Sequence, residues 1–555
     1  DHSAPLSCPF GRHLSIPFQT APFEPSQQVF LAMRRVVTLI LLFVLLVALR
    51  VTGPSDLLEG AQPKQVGYVM DILIRGNWLL QYEVTGEVAT KPPLYNWLAA
   101  GTCLLFGTEA EWAIRLPSLL AGIGLLLSLF FLARRYFDER VAFYAVLACI
   151  ASHHFSKLTW FARTDMLMTC LLYLSILAQV ELRSTRWKPW IIGALNGLNI
   201  LAKGPVGPML FGLFLLLWGR EHQVLKSRSA WKSFGIGTAV CLLIGGVWCA
   251  TVWNYPQFQE QVIFWQLGTR MSEPARYRAV MIPVGHLFSR IAPWPIFSMA
   301  AIWMAYRGRE RRSEVQFVAY WGLAFLLVFC LIPTKRHDHL LPVYPPFFML
   351  AGVALQRLLG PILLASSRWV MLPGTLVLLT VPLLFPWVDQ PQVWGLVAAA
   401  FLCGAIGFLL YARGARSSFV VMIVGVIAMH GIYHHEFHQD GRADYQDLLT
   451  FIKSVKQIVP RPQDVTIYEA HPLIAYQLHQ HEESPSVEEL QKTRPEWVIA
   501  PKSRKPELAR SLGADLVEMA GMNLEPRDSQ ATLYHVESDS SNSQVAERPE
   551  KTSTR

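Results

Sequence analysis

Long apolar runs alternate with short basic or mixed segments along most of this chain. A helix that crosses a bilayer needs roughly 17–25 mostly apolar residues. Candidate spans are Val36–Val51, Leu116–Ala133, Val141–Phe155, Met166–Val180, Pro189–Ala202, Pro205–Trp218, Phe234–Trp253, Val284–Tyr306, Val315–Ile332, His339–Leu359, Trp369–Trp387, Val393–Ala412 and Ser418–His434. The pattern therefore predicts about thirteen spans. Leu94–Phe106 is apolar too, but as a helix it reaches only about 20 Å and should not cross fully. Thr52–Trp97 breaks the pattern. It is too polar for lipid and too long for a simple turn, yet Trp, Tyr, Leu and Ile recur through it. That predicts an ordered loop with amphipathic helices, for example Pro63–Arg75, lying over the membrane domain. The loop ends in Lys91-Pro92-Pro93-Leu94-Tyr95.

After His434 the periodicity changes. Ala443–Val459, Pro472–His481 and Pro506–Leu512 read as helices, and Asp464–Glu469 and Glu496–Ala500 as buried strands. Residues 436–537 thus read as a small α/β domain, and 538–555 as a disordered Ser-, Glu- and Lys-rich tail. At the other end, Met33-Arg34-Arg35 directly precedes the first span. Residues 1–35 read as a leader and cytoplasmic N-terminus, of which 1–32 are expected to be poorly ordered or mis-assigned. Residues 36–435 form the transmembrane unit, with 52–97 as its first outer loop.

Charge refines this picture. Hydrophobic residues make up 52% of the chain and charged ones only 16%, against about 25% charged in soluble domains. The reading is an all-α polytopic membrane protein carrying a small C-terminal α/β domain. A net charge of +9 could suit nucleic acid, but the basic residues lie in short loops between apolar runs, which is a topology signal. No nucleic-acid partner is expected. With Arg34 and Arg35 in the cytoplasm, every second loop falls on the same side and is basic: Arg134-Arg135, Arg183 to Lys188, Arg220 to Lys232, Arg307 to Arg312, Arg368, and Arg413 with Arg416. The 52–97 loop and the C-terminal domain then share the outer face of the inner (plasma) membrane. The eight cysteines form no CxxC and lie mostly inside apolar runs, so they read as small core residues.

Some charges break the rule. Lys91, Lys157, Arg163, Lys203, Arg270, Lys335 and Arg336 fall on the outer side, with Asp165 among them. Charge at membrane depth is costly and marks functional sites. Each cluster can also be read as interfacial anchors, as Lys91 can be read as a snorkelling lysine. As a set at one face, the cations suit an anionic ligand, most simply phosphate. A carboxylate among them suits a general base, or stabilisation of positive charge at a sugar carbon.

Four motifs occur in order: Lys91-Pro92-Pro93-Leu94-Tyr95, Ala162-Arg163-Thr164-Asp165, Lys203-Gly204-Pro205-Val206-Gly207, and Lys335-Arg336 followed by Leu340-Leu341-Pro342-Val343-Tyr344-Pro345. In this the chain resembles the lipid-linked-sugar transferases of the GT-C fold, nearest the aminoarabinose–lipid A transferases and related protein O-mannosyltransferases, over about residues 33–350. The resemblance implies a multi-span GT-C core and inverting transfer of a sugar from a polyprenyl-phosphate donor to a lipid, glycan or protein acceptor at the outer face. It also implies that Lys91 holds the donor phosphate and that Asp165 is the active-site carboxylate. Arg270 and Tyr344 match donor-site positions. Arg163, Lys203, Lys335, Arg336 and Tyr95 complete the donor-phosphate set. Ala61-Gln62 stands where the family usually has acids, leaving Asp56 or Glu59 as the nearest substitutes, with Glu59 taken as a second catalytic candidate. Thr90 replaces a frequent Glu, and Leu267 stands where a His is expected. No cofactor is expected, and a divalent metal site is not supported by these residues. Two other readings stay open: a transporter or flippase for an anionic lipid-linked sugar, and a non-catalytic donor-binding protein.

Overall fold

A computed structural model describes residues 25–51, 55–58, 60–83, 86–182, 185–223, 227–264, 277–308, 311–331, 337–364, 439–480, 484–522 and 531–538. Helix α1 (Pro25–Val51) leads into the first outer loop, which holds α2 (Gln62–Arg75). Then follow α3 (Leu94–Phe106), α4 (Glu111–Tyr136), α5 (Glu139–Ile150), α6 (His153–Trp160), α7 (Thr164–Glu181), α8 (Lys188–Lys203), α9 (Val206–Glu221) and α10 (Arg228–Val252). After them come α11 (Tyr277–Arg290), α12 (Trp294–Gly308), α13 (Arg312–Leu331), a 3-10 turn at His337–Val343, and α14 (Tyr344–Leu364).

Among the described residues, α4, α7, α10 and α13 are each long and apolar enough to cross a membrane. A fifth span is possible where α5 and α6 form a pair bent by 68°. The expected spans after residue 364 lie outside the described residues. Helix α3 has the predicted bounds and only 13 residues. It stops at Gly107, whose φ of 61° only glycine adopts cheaply. Several expected spans are broken instead of straight. Val141–Phe155 turns at Ala151-Ser152, because HHFSKLTW is too polar to continue across lipid and needs partners. Arg50 Nε, for instance, donates to Ser156 Oγ at 3.0 Å. Val284–Tyr306 breaks before Trp294, where Pro293 cannot donate to a helix. His339–Leu359 starts as a 3-10 turn containing Pro342, and the α-helix begins at Tyr344.

Small residues let the helices approach closely. A Cβ on Gly193 of α8 would stand 2.5 Å from the Gly237 carbonyl of α10, and one on Gly197 would stand 2.7 Å from Ile244 Cβ. On the opposite end of the bundle, Asp138 caps α5 through the N–H groups of Arg140 (2.8 Å) and Val141 (3.0 Å). Its other oxygen accepts from Arg311 (2.7 Å) and Gln356 (2.9 Å). One carboxylate thus ties the starts of α5 and α13 to the middle of α14.

The first outer loop is packed tightly into the molecule. Trp248 Nε1 of α10 donates to the Leu79 carbonyl (2.9 Å), and Val88 N–H donates to Gln261 Oε1 (2.9 Å). Buried Asp71 pairs with Arg75 and accepts from Asn77 Nδ2 (3.0 Å) and Tyr82 N–H (2.7 Å). Helix α2 was expected to lie on the surface. It is largely buried instead, because a helix of the C-terminal region, α16 (Pro472–Leu478), roofs it. Pro472 Cβ lies 3.7 Å from where a Gly67 Cβ would stand.

That region begins with α15 (Gln439–Ile458) and includes α16, α17 (Val487–Thr493) and α18 (Lys505–Leu512). Its four-stranded sheet has the order β1 (Thr466–Ile467), β2 (Trp497–Ala500), β4 (Ala531–Ser538), β3 (Ala514–Met522). β1 and β2 are parallel, and the other pairings are antiparallel. The two expected strands are present. β3 and β4 went unread because neither is a continuous apolar run; β3 exposes most of its side chains.

Candidate active site

Asp165 stands in the first turn of α7, and Arg163 precedes the helix in extended conformation. The short turn places them side by side: Arg163 Nε lies 3.1 Å from Asp165 Oδ2. Lys203, the last residue of α8, pairs with Asp165 Oδ1. The chain leaves α8 at Gly204, whose φ of 79° lets it turn away sharply after the lysine. Arg163 Nη1 pairs in turn with Asp338 Oδ2 of the 3-10 turn. Asp338 Oδ1 meets His337 Nε2 at 3.0 Å. Two cations and two carboxylates are therefore interlocked, and their side chains are 2–9% exposed. Charges this buried persist only when paired and hydrogen-bonded. The imidazole of His339 lies within electrostatic reach of Lys203, Asp165, Arg163 and Lys91, which brings the loop lysine to the same cluster.

The first outer loop covers this cluster. A Cβ on Gly60 would stand 3.8 Å from Arg163 Nη1. Ala162 N–H donates to Gln62 Oε1 (3.0 Å), and Gln62 Nε2 donates to the Asp56 carbonyl (2.7 Å). Ala61, where an acid was expected, is thus in the backbone segment directly over Arg163. Asp56 is no substitute at that point: it faces Arg115 Nη2 at 2.7 Å. Outside the spans, burial pushes the Glu83 carboxyl of this loop up from its usual range, against the pull of Lys64 at 3.2 Å.

The structure gathers Asp165, Arg163, Lys203 and Lys91 into one region. Tyr95 is fully buried behind it. Its hydroxyl donates to the Ile114 carbonyl (3.1 Å) and accepts from Ser118 Oγ (3.2 Å), and Ser118 also donates to the Phe161 carbonyl at 2.5 Å. These contacts make Tyr95 a brace for the turn that carries Arg163. Tyr344 is also buried, and its ring lies edge-on to His154 at 5.6 Å. Its hydroxyl has no hydrogen-bond partner among the described residues. Glu59, Arg270, Lys335 and Arg336 lie outside the described residues, so their placement is not part of this geometry. Sequence reasoning missed Asp338, His337 and His154 as site residues. His154 and His286 flank His337 with ring centroids 5.5 and 5.7 Å away. The signal was the run His337-Asp338-His339 beside Lys335-Arg336: a lone acid among so many bases must pair with one of them. Among the described residues, no group of three or more His, Cys, Asp or Glu is arranged to hold a metal ion.

The fold has known counterparts. The fold is that of the GT-C glycosyltransferases. ArnT from Cupriavidus metallidurans, in its structure bound to undecaprenyl phosphate, superposes with a TM-score of 0.68 over 92% of this chain and 98% of that one, at 20% identity. Its apo structure gives a TM-score of 0.63, with the same coverage at 19% identity. Within that fold class, the family model for dolichyl-phosphate-mannose-protein mannosyltransferase matches residues 90–248. The chain is also similar to the undecaprenyl phosphate-alpha-4-amino-4-deoxy-L-arabinose arabinosyl transferase 2 of Pseudomonas fluorescens (strain Pf0-1), 26% identical over 325 residues, 56% of this chain and 57% of that protein. The transferase of Pseudomonas aeruginosa (strain UCBPP-PA14) is 26% identical over 301 residues, 52% of this chain and 54% of that protein. In sequence, the chain thus spans little more than half the length of the relatives it matches.

Proposed function

We propose that this chain is a membrane glycosyltransferase that moves a sugar from a polyprenyl-phosphate donor to a lipid, glycan or protein acceptor. The observation that carries this reading is Asp165. It is a buried carboxylate at a helix start, held between Lys203 and Arg163 and beside His339, which Lys91 also reaches. Two buried cations on one carboxylate, with Lys91 reaching the adjoining His339, suit a leaving phosphate beside a reacting hydroxyl. The ArnT fold supports a C55-type carrier, and the relatives support an amine-bearing pentose as the sugar.

The chemistry is the inverting transfer that the resemblance to the GT-C transferases implies. The bond between the sugar C1 and the phosphate oxygen breaks, and its electron pair leaves with the phosphate. Lys91, with Lys203 as it exchanges partners, stabilises that growing charge. The acceptor oxygen forms the new bond to C1 from the opposite face, inverting the configuration. A hydroxyl acceptor gives its proton to Asp165, whereas a phosphate acceptor arrives already ionised and needs little base. The latter case tolerates Ala61 in the first loop.

In this reading about thirteen spans fill residues 36–435. The 52–97 loop and the 436–537 domain lie on the periplasmic side of the inner membrane. The alternation of basic loops supports that orientation. An impermeant thiol reagent should label a cysteine placed at 470 and spare one placed at 310; labelling of both from outside would reverse it.

Asp165→Asn tests the activity itself. The variant is expected to fold, to bind undecaprenyl phosphate and to transfer sugar at least ~100-fold more slowly, the lower end of the usual loss for a general base. Transfer at the wild-type rate would remove Asp165 from the mechanism. Donor binding by the unaltered chain with no turnover would favour the binding-protein reading that Ala61 motivates.

A further inference from the structure

We propose that Asp338 is a positioning residue for the transfer: through the shared guanidinium of Arg163 it fixes the carboxylate of Asp165 against Lys203. This rests on the glycosyltransferase reading above. Arg163 uses Nε for Asp165 and Nη1 for Asp338, so one planar fork spans two carboxylates. Asp338 is itself oriented from the far side by His337 Nε2 at 3.0 Å. Arg163 precedes α7 and Asp338 belongs to the turn that opens α14, so the pairing joins two segments 175 residues apart.

The charge balance gives this pairing its consequence. Arg163 divides its charge between two carboxylates, and Lys203 is left as the principal partner of Asp165. Without Asp338, the whole guanidinium is free to swing onto Asp165 and take both of its oxygens. The base then loses the orientation that exposes an oxygen to the acceptor. Arg163, committed on two sides, is a clamp for the carboxylate and not a free ligand for phosphate.

The turn does not depend on Asp338 for its attachment. Tyr173 Oη of α7 donates to the Pro342 carbonyl at 2.7 Å, and Leu340, Leu341, Pro342 and Val343 are all buried. Removing the Asp338 charge therefore leaves the turn docked on α7 while releasing its hold on Arg163 Nη1. A misplacement of about 1 Å at a reacting group can cost on the order of 100-fold in rate.

The test uses the full chain in detergent, with turnover read as release of undecaprenyl phosphate from the lipid-linked sugar. Binding is read with undecaprenyl phosphate alone, and folding by thermal unfolding. Asp338→Asn should lower kcat per folded molecule by about 10–100-fold, with KM and undecaprenyl phosphate affinity unchanged. Asp338→Glu should recover part of the loss. Arg163→Lys cannot span two carboxylates, so it should match Asp338→Asn, and the double variant should lose little more. Wild-type kcat in Asp338→Asn would overturn the proposal, as would a loss accounted for by the unfolded fraction or by weaker binding. Asp165→Asn serves as the control. If it is slow while Asp338→Asn is not, only the role of Asp338 fails. If Asp165→Asn transfers at the wild-type rate, the assignment of the base fails first and the positioning role falls with it.

Discussion

Arg115 and Arg163 are both buried guanidinium groups held between two carboxylates near the same end of the bundle. Arg115 meets Asp56 at 2.7 Å and Glu111 at 3.5 Å. Arg163 meets Asp165 and Asp338. Around Arg115 the described residues add two hydroxyl groups. Ser55 Oγ donates to both Glu111 oxygens (2.9 and 2.8 Å), and Tyr445 Oη of α15 donates to Oε1 (2.8 Å). That cluster closes on itself and stitches together the loop, α4 and the C-terminal region. Tyr476 of α16 adds a bond to the Glu109 carbonyl at 2.6 Å. Around Arg163 a second cation, Lys203, shares Asp165, and Lys91 reaches the adjoining His339. Burial of an ion pair is therefore no mark of function by itself. What separates the two clusters is charge balance: one guanidinium serves two carboxylates at Arg115, whereas at Arg163 two cations meet two carboxylates.

The comparison can be broken at its structural half first. Arg115→Met strands Asp56 and Glu111, and removing one partner of a buried pair costs about 3–5 kcal/mol. Chemical unfolding in detergent should show that loss, while the folded fraction transfers sugar at the wild-type rate per molecule. A folded but inactive Arg115→Met would place Arg115 in the site and erase the distinction.

At the functional half, Lys91→Ala should weaken undecaprenyl phosphate binding by about 1.5–3 kcal/mol, the worth of a charged hydrogen bond. That is roughly 10- to 150-fold in Kd. Stability should change little, because this side chain is not fully buried. Unchanged donor affinity in a folded Lys91→Ala would return the lysine to the role of an interfacial anchor.

The smallest effect sharpens the contact between the C-terminal region and the loop. His471 caps α16, its Nδ1 accepting from Leu473 N–H at 3.3 Å. Burial, with Lys64 close by, lowers its pKa from about 6.5 to about 4. Between those values the unfolded chain binds the proton and the folded one does not, so stability falls as pH drops from about 6.5 towards 4. Hydrogen exchange of α16 should accelerate over that window in the unaltered chain. In His471→Asn, which keeps a neutral cap, the acceleration should vanish. Persistence of the full pH dependence would assign it to another group.

Much of this molecule was legible from hydrophobic pattern and charge. Helix α3 starts and stops where the apolar run and Gly107 place it. The short span, the motif around Asp165 and the lysine ending α8 all announced themselves as charges on the side of the membrane where the positive-inside rule forbids them. The bends were harder to see, because hydropathy windows average over one or two residues such as Ala151-Ser152 and Pro293.

The sequence by itself determined the membrane class of the chain and the candidacy of Asp165, Lys91 and Lys203, since periodicity and charge are local properties. Only the tertiary structure decided that α2 is roofed by α16, that Asp56 is spent on Arg115, and that Asp338 completes the clamp on Arg163. Each of those facts is a pairing across tens to hundreds of residues. Which carboxylate meets which guanidinium is set by the packing of whole helices, and no local pattern encodes it.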